Sequence, residues 1–240
     1  MYLVIDRKKC LLFCSVFLAA GLLLGGVLGV IPDRNTFGVE GGALKVIIDA
    51  GHGLPDGGAV GANGSIEADL NLDIAKMVAE VMQGKGIDTI MIRNDKEGIR
   101  EEGSSSWSKI KDMRLRLEKL RKADADLFVS IHMNHFPMSD VSGLRLFYAA
   151  NHKEIKPLAE NIQLRMSELT GAKVTAVRAA DKSLFLMKSP PIPAILIECG
   201  FISNPAEEKK LMNEEYRAKI AWAIADTIER YYLDDKNEKS

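Results

Sequence analysis

The chain has few cysteines and no excess of either charge. Cys10 and Cys14 stand close together near the N-terminus and Cys199 is the third of 3 cysteines, so no disulfide framework can form within a folded domain. Stability must therefore come from packing, and 240 residues suffice for one domain of ordinary size. The 32 basic and 33 acidic residues nearly cancel, so nothing indicates binding to nucleic acid or another polyanion.

Charge is also missing from a long N-terminal run. No charged residue occurs from Leu11 to Ile31, and a helix of that length spans the roughly 30 Å of a bilayer core. Residues 1–10 carry a basic cluster, so we expect this end to stay cytoplasmic and the rest to be exported. The segment ends without the small residues of a cleavage site, which favours a transmembrane anchor at 11–31 over a cleaved signal segment. We expect an extracytoplasmic protein, anchored or secreted.

Strand and helix patterns alternate in the exported part. Residues 32–43 are short, mixed and glycine-containing, which is typical of a tether, and we expect one catalytic domain at 44–233. The last residues, 234–240, are predicted to be a disordered polar tail. The patterns predict strands at 45–49, 87–93, 126–133, 143–148 and 194–199, and helices at 67–82, 112–123, 155–169 and 214–232. They indicate an α/β fold with a mostly parallel central sheet flanked by helices.

Residues 97–111 form a polar stretch between two predicted elements. It suits a surface loop that covers a site or receives an activating protein. A plain solvated loop is the alternative, and the composition favours it.

Two residues near predicted element ends are candidate metal ligands. His52 directly follows the first strand in a glycine-rich turn, and ligands bind at strand ends in open α/β sheets. By itself, a loop histidine is more often an ordinary polar residue. Glu67 opens a helix, where the helix dipole stabilises a carboxylate. It could equally be an acidic residue that stabilises the first turn of the helix, so its position in the helix does not decide its role.

Two further candidates end predicted strands. Alternation places His132 on one side of its strand with Ser130 and Asn134, at the end where a pocket should lie. A satisfied core histidine is the alternative, but this position favours a metal ligand. Glu198 is an acid in an otherwise apolar strand, so it needs a cation, a hydrogen-bond network or a catalytic role. Two imidazoles and one carboxylate would leave an open position on a tetrahedral zinc ion, as in catalytic zinc sites.

Five ordered motifs together resemble the zinc-dependent N-acetylmuramoyl-L-alanine amidases of type 3, which cleave peptidoglycan. The resemblance covers residues 45–232, nearly all of the exported part. The motifs are Ile-Asp-Ala-Gly-His-Gly at 48–53, Asp-Gly-Gly-Ala-Val-Gly at 56–61, Glu-Ala-Asp-Leu-Asn-Leu at 67–72, Ser-Ile-His-Met-Asn at 130–134 and Leu-Ile-Glu-Cys-Gly-Phe-Ile-Ser-Asn at 196–204.

The resemblance implies both a fold and a reaction. The fold would be the phosphorylase/hydrolase-like α/β domain of these amidases. His52, Glu67 and His132 would bind Zn²⁺, and Glu198 would be the catalytic acid and base. The bond cleaved would be the amide between the lactyl group of N-acetylmuramic acid and L-alanine of the stem peptide. The resemblance assigns no substrate-binding residue.

Within the family, the N-terminal segment, the lack of wall-binding repeats and a polar insertion at 104–108 resemble germination-specific amidases of spore formers. That implies action in the forespore envelope during cortex maturation, on the route to muramic-δ-lactam. A vegetative autolysin is one alternative. A non-catalytic wall-binding protein is another, but the presence of all four site residues argues against it.

Overall fold

The structure is a computed structural model that describes residues 43–238, with side chains for residues 43–233. The predicted basic end, the apolar segment 11–31 and nearly all of the tether lie outside the described residues, so they stay predictions. Within 43–238, no helix is long and apolar enough to cross a membrane.

Strands and helices alternate along the described part of the chain, as the sequence predicts. They are β1 (Lys45–Ala50), α1 (Glu67–Gly84), β2 (Asp88–Met91), α2 (Lys109–Lys122), β3 (Leu127–Asn134), β4 (Arg145–Tyr148), α3 (Lys156–Thr170), β5 (Arg178–Ala179), β6 (Ala194–Phe201), α4 (Pro205–Leu211) and α5 (Glu214–Glu238). Strand β5 and helix α4 were not predicted, because neither is long enough to show a hydrophobic period.

The strands form one sheet in the order β2-β1-β3-β6-β4-β5. Strands β2, β1, β3 and β6 run parallel, whereas β4 is antiparallel to β6 and parallel to β5. The expected mostly parallel sheet is therefore a mixed sheet in which two short strands at one side, β4 and β5, run in the reverse direction. The carboxyl ends of β1, β3 and β6 meet at one edge, where an α/β sheet binds ligands.

Two apolar clusters cover the faces of this sheet. Because side chains alternate along a strand, Ile48 and Val129 lie in the cluster on one face, together with helices α1, α3 and α5. Ile47 and Phe128 lie in the cluster on the other face, which helix α2 and the 3₁₀ turn at Phe185–Met187 cover. Burial of these side chains is the main stabilising contribution to the fold.

Helix α5 extends beyond its predicted end. We expected a disordered tail from residue 234, but the helix continues to Glu238. The polar residues after 233 include no proline or glycine, so nothing in the backbone chemistry ends the helix there. The helix thus covers residues 234–238 of the predicted polar tail, and the disorder of the tail stays a prediction.

Glu208 of helix α4 fastens the loop that precedes helix α1. Its side chain is fully buried, at 0% exposure. Its carboxylate accepts hydrogen bonds from Asn63 Nδ2 at 2.8 Å and Ser65 Oγ at 2.6 Å, and from the backbone N–H groups of both residues. A buried charge with several donors is well compensated. The contact fixes the chain just before Glu67.

We expect Glu208→Ala to lower the free energy of unfolding by about 2 kcal/mol, because Asn63 and Ser65 lose a charged hydrogen-bond acceptor. Denaturant unfolding of the metal-free protein measures this change. Lys209→Ala is the matched control, since Lys209 is exposed on the same helix. Equal stability of the two variants would contradict the proposed role of Glu208.

Candidate active site

Three of the predicted site residues converge at the carboxyl edge of the sheet. His52 follows β1, Glu67 is the first residue of α1 and His132 lies near the end of β3. One donor atom from each lies within 4.8 Å of the others. Residues distant in sequence thus meet because β1 and β3 are parallel neighbours that end together.

The distances between these donor atoms match a tetrahedral metal site. Glu67 Oε1 lies 3.4 Å from His52 Nε2 and 3.1 Å from His132 Nδ1. Ligand atoms about 2.1 Å from a tetrahedral zinc ion are themselves about 3.4 Å apart. Nitrogen and oxygen donors in this arrangement suit a zinc ion, so the residues present fit the metal.

Glu67 is held in the ionised form that metal binding requires. It is buried, and its second oxygen, Oε2, accepts a hydrogen bond from the backbone N–H of Ala59 at 2.9 Å. Burial alone raises the pKa of this carboxyl, but the hydrogen bond and charge of His132 and the charge of His52 lower its pKa to about 2.

Asp56 orients His52. Its Oδ2 lies 3.1 Å from His52 Nδ1 and 3.1 Å from Lys109 Nζ. A carboxylate on one ring nitrogen fixes the tautomer and presents the other nitrogen to a metal, a common arrangement around histidine ligands. Nε2 of His52 is therefore the nitrogen available to coordinate a metal.

Two glycines make room for the histidines. A Cβ on Gly51 would overlap the imidazole of His132. Gly58 has φ +69°, and a Cβ there would lie 2.8 Å from His52 Cδ2. Gly51 is required because a side chain there would collide with His132, and Gly58 is required because of both its left-handed backbone and its contact with His52. These constraints explain why glycine occurs beside the predicted ligands.

Glu198 lies beside the three candidate ligands on strand β6. Its register partner on β3 is His132, so the two side chains share a face of the sheet. Burial raises the pKa of Glu198 to about 7, although the positive charges of His132 and Arg145 oppose that rise. The side chain amide of Asn134 donates a hydrogen bond to Oε2 of Glu198.

A buried ionic network lies beneath the loop that carries His52. Arg116 Nη1 lies 2.5 Å from Asp49 Oδ1, and Arg116 Nε lies 2.8 Å from Asp112 Oδ1. Arg116 also donates hydrogen bonds to the carbonyl oxygens of Ala50 and His52. The network connects helix α2 to the backbone of the candidate metal site.

Comparison with known proteins identifies the family of the chain. The model of the N-acetylmuramoyl-L-alanine amidase family Amidase_3 matches residues 46–230, most of the chain. The chain belongs to this family. As a member, the amidase acts on peptidoglycan at the amide between N-acetylmuramic acid and L-alanine.

Several relatives of the amidase are similar along most of their length. The germination-specific N-acetylmuramoyl-L-alanine amidase of Bacillus subtilis is 35% identical, over 79% of this chain and 80% of its own. AmiA of Escherichia coli is 29% identical, over 84% of this chain and 80% of its own. The solved CwlD amidase from Clostridioides difficile, in complex with the GerS lipoprotein, is 34% identical with a TM-score of 0.74 and covers 79% of this chain and 98% of that one. The fold implied by the resemblance is confirmed.

Sequence reasoning about the amidase missed three residues around the site: Asp56, Asn134 and Arg145. Asp56 and Asn134 stood inside recognised motifs, and only the closed loop and the strand register reveal their partners. Arg145 is the register partner of Glu198 on β4, which sequence periodicity could not show.

The polar segment 97–111 lies next to the site in the amidase. Gly98 N–H donates a hydrogen bond to the carbonyl of Leu54 at 2.8 Å, two residues beyond His52. Lys109, at the start of α2, reaches Asp56. A role in gating or in receiving an activating protein stays a prediction.

Proposed function

We propose that this amidase is zinc-dependent, that His52, Glu67 and His132 hold the ion, and that Glu198 is its general base and acid. The observation that carries the proposal is the convergence of His52 Nε2, Glu67 Oε1 and His132 Nδ1 beside the carboxylate of Glu198. The catalytic residues thus come from three parallel strand ends and one helix start.

The chemistry follows from what these side chains do. A zinc ion bound there would supply a Lewis acid that polarises the carbonyl and activates water. Glu198 takes the proton of the attacking water and delivers it to the leaving amine of L-alanine. With a pKa of about 7, Glu198 exchanges protons readily near neutral pH. A zinc ion held by the neighbouring ligands would favour the ionised form of Glu198, which a general base needs.

The biological setting is proposed by similarity. The germination-specific relative from Bacillus subtilis matches this chain along most of both lengths. We place the amidase outside the cytoplasm, held by its N-terminal segment, where it strips stem peptides from cortex peptidoglycan. The complex of the Clostridioides difficile amidase with a lipoprotein supports a protein partner for this chain as well.

Incubating cortex peptidoglycan with the full-length amidase tests the proposal. We expect the zinc-loaded protein to release intact stem peptides with a free L-alanine N-terminus, detected by mass spectrometry. A chelator should reduce release at least about a hundredfold, because general acid–base chemistry without the metal retains little rate. Zinc added back should restore it, and equimolar zinc should raise the melting temperature.

Release that is insensitive to the chelator would contradict zinc dependence. Cleavage of vegetative wall with no cleavage of cortex would instead favour an autolysin of the same chemistry.

A further inference from the structure

Two arginines, Arg145 and Arg178, line a cavity near the register partner of Glu198. The cavity has a volume of about 90 Å³ and is lined by Arg145, Leu146, Phe147, Thr175, Ala176 and Arg178. Arg178 is exposed. Among residues 43–233, neither guanidinium has a hydrogen bond or ion pair, and Arg145 instead lies 5.0 Å from the ring centroid of Phe201. No acidic side chain lines this cavity.

The register of the sheet places both arginines on the catalytic face. Arg145 on β4 is the partner of Glu198 on β6, and Arg178 on β5 is the partner of Phe147 on β4. Because paired residues share a face and residues two apart in a strand do too, Arg145, Arg178 and Glu198 point to the same side. Arg145 therefore lies beside Glu198, on the side away from His132 and the proposed metal, and the cavity extends from Arg145 towards β5.

The spacing of the strands determines how many substrate residues lie between the scissile amide at Glu198 and Arg178 in the cavity. Arg178 lies two strands away from Glu198 and two residues along the sheet from it, which is about 12 Å between Cα atoms at ordinary strand geometry. An extended peptide covers about 3.5 Å per residue. A peptide that begins at the scissile amide would reach Arg178 with its second or third residue.

We propose that Arg145 and Arg178 form a subsite for a free carboxylate of the stem peptide, two or three residues beyond the scissile amide. The proposal rests on the proposed function, because only a substrate cleaved at Glu198 would extend along this face. Stem peptides carry carboxylates beyond L-alanine, at glutamate and at the diamino acid. Guanidinium groups recognise carboxylates with paired, charge-assisted hydrogen bonds. The cavity thus makes the amidase sensitive to amidation of its substrate.

Kinetics with matched substrates test the subsite. One muropeptide carries free carboxylates, a second is amidated at glutamate and a third at the diamino acid. With the zinc-loaded full-length protein, we expect Arg178→Gln to lower kcat/KM about tenfold on the free acid, in line with a lost charged hydrogen bond. On the substrate amidated at the recognised position, the same substitution should change kcat/KM less than about twofold.

The substrate for which the effect disappears identifies the carboxylate. Arg178→Lys should recover part of kcat/KM, because it keeps the charge but loses the paired geometry. Lys182→Gln is the control for net charge, since Lys182 is exposed outside this cavity, and it should leave all three rates unchanged. An effect of Arg178→Gln that is equal on all substrates, or absent, would overturn the subsite.

Failure of the proposed function gives a different result. If the wild-type protein cleaves none of the substrates, binding of a synthetic stem peptide with free carboxylates, measured by calorimetry, still tests the subsite. Weaker binding to Arg178→Gln than to Lys182→Gln supports it, and equal binding refutes it.

Discussion

Replacing Glu198 by Gln should abolish hydrolysis while the metal stays bound. We expect kcat to fall by about 10³-fold, because glutamine has nearly the same shape but cannot take a proton from water or return one to the amine. The Nδ2 donor of Asn134 keeps an oxygen acceptor in the variant. Zinc affinity should change little, because the proposed ligands are the other three residues.

Steady-state hydrolysis of a muropeptide and zinc titration of the same preparation separate these two effects. Glu215→Gln is the matched control, because Glu215 is exposed on helix α5 and is not one of the site residues. Retained hydrolysis in Glu198→Gln would remove this residue from the chemistry. Loss of zinc together with activity would make it a ligand instead.

The sequence pointed to His52 and His132 as candidate site residues because the ends of apolar strands can be recognised in a sequence. His52 and His132 each follow or end an apolar run, and parallel strands place such ends at one edge. The family motifs then supplied Glu67, whose helical position alone was ambiguous. The structure adds the reason for its place: its carboxylate lies within hydrogen-bonding distance of His132 Nδ1 and accepts from the Ala59 backbone.

The rest depended on contacts between distant residues. The position of Arg145 beside the site is visible only from the strand register, which pairs it with Glu198. The direction of β4 could not be predicted from its four residues, because the alternation of side chains is the same whichever way a strand runs. Glu208 lies in a helix that the sequence did not predict, and only the fold shows that its carboxylate accepts hydrogen bonds from Asn63 and Ser65.

The buried arginine of helix α2 offers the second large effect. Arg116 is 1% exposed and pairs with Asp49, which is also 1% exposed. Removing one partner of a buried ion pair costs about 3–5 kcal/mol, because the other charge is left without compensation. We expect Arg116→Met to lower the free energy of unfolding by about that amount. Arg114→Met, exposed on the same helix, should change it by less than about 0.5 kcal/mol.

The same substitution should weaken metal binding, because Arg116 also holds the backbone of a ligand. His52 has φ 60°, a left-handed conformation that a side chain adopts at a cost of about 1–3 kcal/mol. Arg116 donates to the carbonyl of His52, and Arg93 Nε donates to that of Ala50 at 2.8 Å. Without Arg116, the strained peptide can relax and carry the imidazole away from Glu67.

Two measurements decide between this account and a purely local charge effect. Denaturant unfolding of the metal-free protein reports the loss of the ion pair, and zinc titration reports the position of His52. Arg116→Lys keeps a charge for Asp49 but offers fewer donors to the carbonyl oxygens, so its stability should recover more than its zinc affinity. If both quantities recover together, or if zinc affinity is unchanged in Arg116→Met, the arginine stabilises the fold without positioning the ligand.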